Sequence, residues 1–125
     1  MPVHFEALAP MLQAADLDAT VAWYTSVLGF TCAAREEGWV RLERDEVALM
    51  FITDDEFGAP QATGTQYIYV DDAMALWNDI KNRVRAERDP EQTDYGMLEF
   101  TIKDPNGYLL SFGQEVEGED GAGKP

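Results

Sequence analysis

One cysteine, one histidine and three lysines are all that this chain of 125 residues has of those types. Cys32 alone cannot form an internal disulfide, which fits a reducing compartment and predicts a cytoplasmic protein. His4 alone leaves Ser–His and Cys–His nucleophile arrangements almost without candidates. A single imidazole without partners makes no metal site. No apolar run reaches the roughly 18 residues that span a bilayer, so no membrane partner is expected. The opening MPVHFEALAP has no basic region followed by an apolar one, so no signal peptide is expected. No glycine-rich phosphate loop leads into a helix. Positive charge is also scarce: nine basic residues face 24 acidic ones, a net charge of −15. Such a surface argues against nucleic acid, which is gripped through its phosphates. It favours cationic ligands through steering, although solubility or salt adaptation would give the same balance.

What is present is enough for one core. The hydrophobic fraction is 46%, which together with the length predicts a single domain. Within it the chain repeats itself. LAPMLQAAD (8–16) reads as a strand ending at Asp16, a plausible N-cap for the helix that comes next. In that helix Leu17, Val21, Tyr24 and Leu28 share one face, and Gly29 is a natural stop. TCAA, WVRLE and VALMFIT are then strand candidates, separated by turns at EEG and RDE. The second half has the same plan. TQYIYVDD (65–72) is a strand ending at Asp72, and DAMALWNDIKNRV is a helix with Ala73, Leu76, Trp77, Ile80 and Val84 inward. RAE is a weak strand candidate, and Pro90 interrupts the segment after it. MLEFTI and YLLSF are strands joined by an Asp104-Pro105-Asn106-Gly107 turn. The order is β-α-β-β-β twice, over about 5–53 and 65–115, with a linker at 54–64 rich in Gly, Pro and acid. Residues 116–125 lack periodicity and read as a disordered acidic tail. The expected class is α+β, each unit a small sheet with a helix on one face.

The segments ADLDATVAWYTSVLGF (15–30), YIYVDDAMALW (67–77) and YGMLEFTIKDPNGYLLSFG (95–113) carry a resemblance. Together they resemble the vicinal oxygen chelate superfamily, that of glyoxalases, extradiol dioxygenases and bleomycin-resistance proteins. The resemblance implies two βαβββ units forming a curved mixed sheet with a cavity, and a homodimer. It does not fix a chemistry, because the fold hosts several. Enzymes of the superfamily bind a divalent metal through four sheet positions. By similarity these fall at Ala9 and Thr65, each seven residues before the helix-opening aspartate, and at about Met50 and Ser111. None is a usual ligand for a hard or borderline ion. The resemblance is therefore closest to the metal-free bleomycin-resistance branch, with no cofactor, in which a cavity binds a bulky ligand without chemistry.

Strand parity proposes what lines that cavity, because side chains at i and i+2 share a face. With Ala9 go Ala7, Met11 and Gln13; Leu8, Pro10 and Leu12 then cover the helix. With Met50 go Ala48 and Ile52; with Thr65, Tyr67 and Tyr69; with Ser111, Leu109 and Gly113. Met97, Glu99 and Thr101 are placed on the cavity side, and Trp39 is a possible wall. The candidate ligand-binding set is Met11, Gln13, Trp39, Met50, Tyr67, Tyr69, Glu99, Thr101 and Ser111. Met adapts its shape, Tyr and Trp offer stacking faces, and Glu99 offers a charge for a cationic ligand. The plain alternatives are that Met11, Met50 and Trp39 are core and that Glu99 is a solvated carboxylate. Two functional alternatives stand beside antibiotic sequestration. One is a divergent metalloenzyme that recruits Glu43 and Glu99; the other is a binder of a different aromatic or hydrophobic small molecule.

Overall fold

The computed structural model describes residues 2–53 and 58–116. Residues 54–57 of the expected linker and 117–125 of the expected tail lie outside the described residues. The chain divides into two compact units, 1–60 and 61–125, each an α+β unit with one four-stranded mixed sheet and one helix.

The first unit runs β1 (Met11–Gln13), α1 (Leu17–Leu28), β2 (Thr31–Glu36), β3 (Trp39–Arg44) and β4 (Val47–Ile52). Its sheet order is β1-β4-β3-β2, with β1 parallel to β4 and the other pairs antiparallel. Helix α1 starts where Asp16 Oδ1 accepts the Ala19 N–H at 3.0 Å, an N-cap that satisfies an orphan donor. It ends at Gly29, whose φ of 69° is left-handed and easy for glycine. Arg44 Nη1 donates to the Leu28 carbonyl at 2.6 Å, closing another loose end. The helix packs on the face that presents Val40, Leu42, Leu49 and Phe51, all fully or nearly fully buried. Tyr24 is the hub, its ring 5.2 Å from that of Phe51 and 5.5 Å from that of Phe30.

The second unit repeats the plan with β5 (Thr65–Tyr69), α2 (Ala73–Ile80), β6 (Arg85–Gln92), β7 (Met97–Lys103) and β8 (Leu109–Glu115), in the order β5-β8-β7-β6. Asp72 Oδ1 caps α2 by accepting the Ala75 N–H at 3.0 Å. The helix covers Phe100, Ile102, Leu110 and Phe112. The rings of Trp77 and Phe100, and of Phe100 and Phe112, are each 5.2 Å apart. Removing a ring such as Phe100 from a core of this kind costs about 3–5 kcal/mol.

Four local expectations change. The strand expected over 8–16 shrinks to Met11–Gln13, its ladder running from the Pro10 carbonyl to the Ala14 N–H. Pro10 has no N–H to extend it, and Asp16 is committed to its cap. Ala7 and Ala9 are therefore not strand residues, and Leu8 is 91% exposed rather than packed on the helix. In α1 the fully buried position is Thr20, not Val21; its hydroxyl donates to the Asp16 carbonyl at 2.8 Å, so burial leaves it satisfied. Helix α2 stops at Ile80, because the polar Lys81-Asn82-Arg83 offers nothing apolar to hold another turn before Val84. Strand β6 passes through Pro90 instead of being interrupted by it. It is an edge strand with register shifts between Ala86 and Arg88 and between Arg88 and Glu91, where a missing N–H is tolerated.

Candidate functional site

Pairing within the second sheet sets two rows of side chains on the face away from α2. One row is Tyr69, Gly113 and Glu99; the next is Tyr67, Ser111 and Thr101. Gly113 leaves a gap in the first row. The Tyr67 ring leans through that gap and its hydroxyl donates to Glu99 Oε2. The other oxygen, Oε1, accepts the hydroxyl of Tyr95. Tyr95 stands on the turn before β7, where the Thr93 N–H bonds the Met97 carbonyl at 2.7 Å and Gly96 takes a φ of 84°. The Tyr67 and Tyr69 rings lie 5.1 Å apart, inclined by 54°, and Tyr69 is 49% exposed, so an aromatic surface is open beside the carboxylate. Behind it, Thr101 Oγ1 and Ser111 Oγ share a hydrogen bond of 2.6 Å.

The electrostatics come from this arrangement. Burial, then the hydrogen bond and charge of Glu99, push the Tyr67 phenol well above its usual range. The hydrogen bond to Glu99, then burial, raises the Tyr95 phenol as well. Both phenols are neutral donors at ordinary pH. Among the described residues, no Lys or Arg forms an ion pair with Glu99.

Five of the nine sequence candidates, Tyr67, Tyr69, Glu99, Thr101 and Ser111, thus share one face of the second sheet. The other four belong to the first unit. Met11 pairs with Met50, and Gln13 and Trp39 both pair with Ile52, on the face away from α1. Met11 is 49% exposed, whereas Gln13 Nε2 donates to the Gly58 carbonyl at 3.1 Å. Trp39 borders an open depression of about 640 Å³ at the start of α1, which Asp16, Leu17, Arg35, Glu37 and Ile52 also line. Met97, placed by parity beside Glu99, is fully buried.

Sequence reasoning missed Tyr95, Gly113 as a gap, and Arg41, whose Nε meets Glu43 Oε2 at 2.6 Å. Tyr95 stands on a turn before β7, where strand parity gives no direction, so no spacing in the sequence signalled the first. The four positions that correspond to metal ligands do not fit a divalent ion. Ala9 lies before β1 with only a methyl group, Met50 offers a thioether, Thr65 opens β5 exposed, and Ser111 is bonded to Thr101. Among the described residues, no three His, Cys, Asp or Glu side chains gather as a metal site. Glu43 and Glu99, the carboxylates a displaced site would need, are each engaged within a different unit.

The sequence model of the glyoxalase/bleomycin resistance protein/dioxygenase superfamily matches residues 3–112. The chain belongs to this superfamily. No curated protein matches it. Among solved structures of the fold, a glyoxalase/bleomycin resistance protein/dioxygenase from Nocardioides is 18% identical, with a TM-score of 0.76 over 99% of this chain and 90% of that one. A bleomycin resistance determinant encoded on the transposon Tn5 is 25% identical, with a TM-score of 0.72 over 89% of this chain and 98% of that one. The bleomycin-binding protein of Streptomyces verticillus, complexed with copper(II)-bleomycin, is 22% identical, with a TM-score of 0.71 over 94% of this chain and 100% of that one. Superfamily membership accounts for the duplicated βαβββ plan.

Proposed function

We propose that this protein binds a small molecule without a metal and sequesters a bleomycin-type glycopeptide antibiotic by binding alone. The observation that carries the reading is the Glu99 carboxylate, in no ion pair with a described Lys or Arg, beside the half-buried Tyr67 ring and the exposed Tyr69 ring. Aromatic faces suit a flat ring system, worth about 0.5–1.5 kcal/mol per pair beyond area burial. The carboxylate and the −15 net charge suit a cationic tail, so affinity falls as salt rises. The solved bleomycin-resistance and bleomycin-binding proteins of the same fold support the choice of ligand. The protein acts as a homodimer in the cytoplasm. Val3, Phe5 and Leu8, 76%, 90% and 91% exposed, support a second copy, and a stable monomer in light scattering at micromolar concentration would refute it. No described helix is long and apolar enough to cross a membrane.

Calorimetry with bleomycin tests the ligand. Heat of binding and a raised melting temperature are expected, both reduced by Tyr67→Ala. Neither signal at about 100 µM ligand, roughly −5.5 kcal/mol by affinity arithmetic, would remove the antibiotic from the reading and leave another aromatic or cationic ligand.

A further inference from the structure

The Glu99 carboxylate is held at both oxygens, Oε2 by the Tyr67 hydroxyl and Oε1 by the Tyr95 hydroxyl. An ionised carboxylate has about four acceptor sites, two on each oxygen. One phenol on each oxygen therefore leaves one acceptor free on each. That pattern matches a donor with two parallel N–H groups, which needs one acceptor per oxygen, better than a compact ammonium, which acts as a point charge. Neither phenol removes the negative charge. Glu91, directly across from Glu99 on β6, adds a second one. The cation at the other end of the same face of β7, Lys103, has its Nζ 3.6 Å from Glu87 instead. The Tyr67 and Tyr69 rings, 5.1 Å apart beside the carboxylate, offer π faces to a planar cation.

We propose that Glu99, clamped between Tyr67 and Tyr95, receives a planar forked cation, a guanidinium or amidinium group of the ligand, and that Tyr95 is the residue that positions the carboxylate for it. This deepens the binding reading above and rests on it for the existence of a small-molecule ligand. Tyr95 touches Glu99 from a turn, at the carboxylate oxygen that Tyr67 does not hold, and acts through the carboxylate rather than on the ligand.

The test uses the full chain and three probes of similar size: benzamidine, its neutral counterpart benzamide, and benzylamine. Binding is followed by NMR titration. Benzamidine is expected to bind about tenfold more tightly than benzamide, with benzylamine between them, and to shift the signals of Tyr67, Tyr69 and Glu99. Tyr95→Phe, which keeps the ring and removes the hydroxyl, should erase most of the benzamidine advantage and leave benzamide unchanged. Glu99→Gln should erase it completely. Thermal melts establish that both variants are folded. Equal binding of benzamidine and benzamide overturns the proposal, as does benzamidine binding that is absent or maps elsewhere. If Tyr95→Phe weakens both probes alike, Tyr95 is structural and its positioning role is lost. The two readings fail separately: bleomycin binding that Glu99→Gln leaves untouched removes only the clamp, and a benzamidine preference without bleomycin binding removes only the antibiotic.

Discussion

The ring of Tyr67 lies so close to the α-carbon of Gly113 that a Cβ there would stand 2.7 Å from Cζ and 2.8 Å from Cε1. Those distances are inside any real carbon–carbon contact, so glycine at 113 is what allows Tyr67 to reach Glu99 from its own row. The reason is space alone, since Gly113 is not among the described residues with positive φ. Gly113→Ala should therefore expel the Tyr67 ring and break its bond to Glu99, at a cost of about 1–3 kcal/mol for overpacking. In a Tyr67→Ala background the same change should be close to neutral, because the ring it strikes is gone and alanine suits a strand better than glycine. Denaturant unfolding of the four proteins measures the coupling. Equal costs in both backgrounds would mean that the ring does not occupy the gap.

A second expectation concerns high pH. Burial and then Glu99 raise the Tyr67 phenol above its unfolded value of 10.0, and Glu99 and then burial raise that of Tyr95. A group whose folded pKa is raised binds its proton more tightly in the native state. Its contribution to stability is complete below about pH 10 and is lost as pH climbs from there toward the folded value. In NMR titration the Tyr67 and Tyr95 ring signals should move later than those of a free tyrosine. Glu99→Gln should bring both midpoints down, with Tyr95 moved further in proportion, since its largest cause is that hydrogen bond. Unchanged midpoints in the variant would place the cause elsewhere.

Much of the fold is written in the chain as local chemistry. Asp16 and Asp72 cap their helices, and Gly29 stops the first in the left-handed region. The Asp104 side chain closes its turn by accepting the Asn106 and Tyr108 N–H groups, each at 2.8 Å, with Gly107 at a φ of 93°. Each of these is decided within four or five residues. Period-two alternation, anchored on the positions that the superfamily resemblance implies, likewise puts Tyr67, Tyr69, Glu99, Thr101 and Ser111 on one face. The features that stayed hidden depend on neighbours across the sheet. Pro90 is tolerable only because β6 has a free edge, and Gly113 is a passage only because Tyr67 lies on one side and Glu99 on the other. Tyr95 belongs to a turn, where alternation gives no direction, so its meeting with Glu99 needed the fold.

The last prediction concerns metal. In the superfamily's enzymes four sheet positions hold a divalent ion; here they correspond to Ala9, Met50, Thr65 and Ser111. A methyl group, a thioether and two hydroxyls supply neither imidazole nor carboxylate, and one hydroxyl is 2.6 Å from Thr101 Oγ1. Purified protein should therefore hold no stoichiometric Zn, Ni, Fe or Mn in elemental analysis, and should not isomerise the methylglyoxal–glutathione adduct. A chelator should leave its melting temperature unchanged, because an ion that bound only the native state would stabilise it and its removal would lower the transition. About one metal per chain, lost with chelator together with an activity, would reverse this. It would also return Glu43 and Glu99 to consideration as recruited ligands. Glu99→Gln then separates the cases: in a binder it lowers affinity for cationic probes, and in a metalloprotein it lowers metal content.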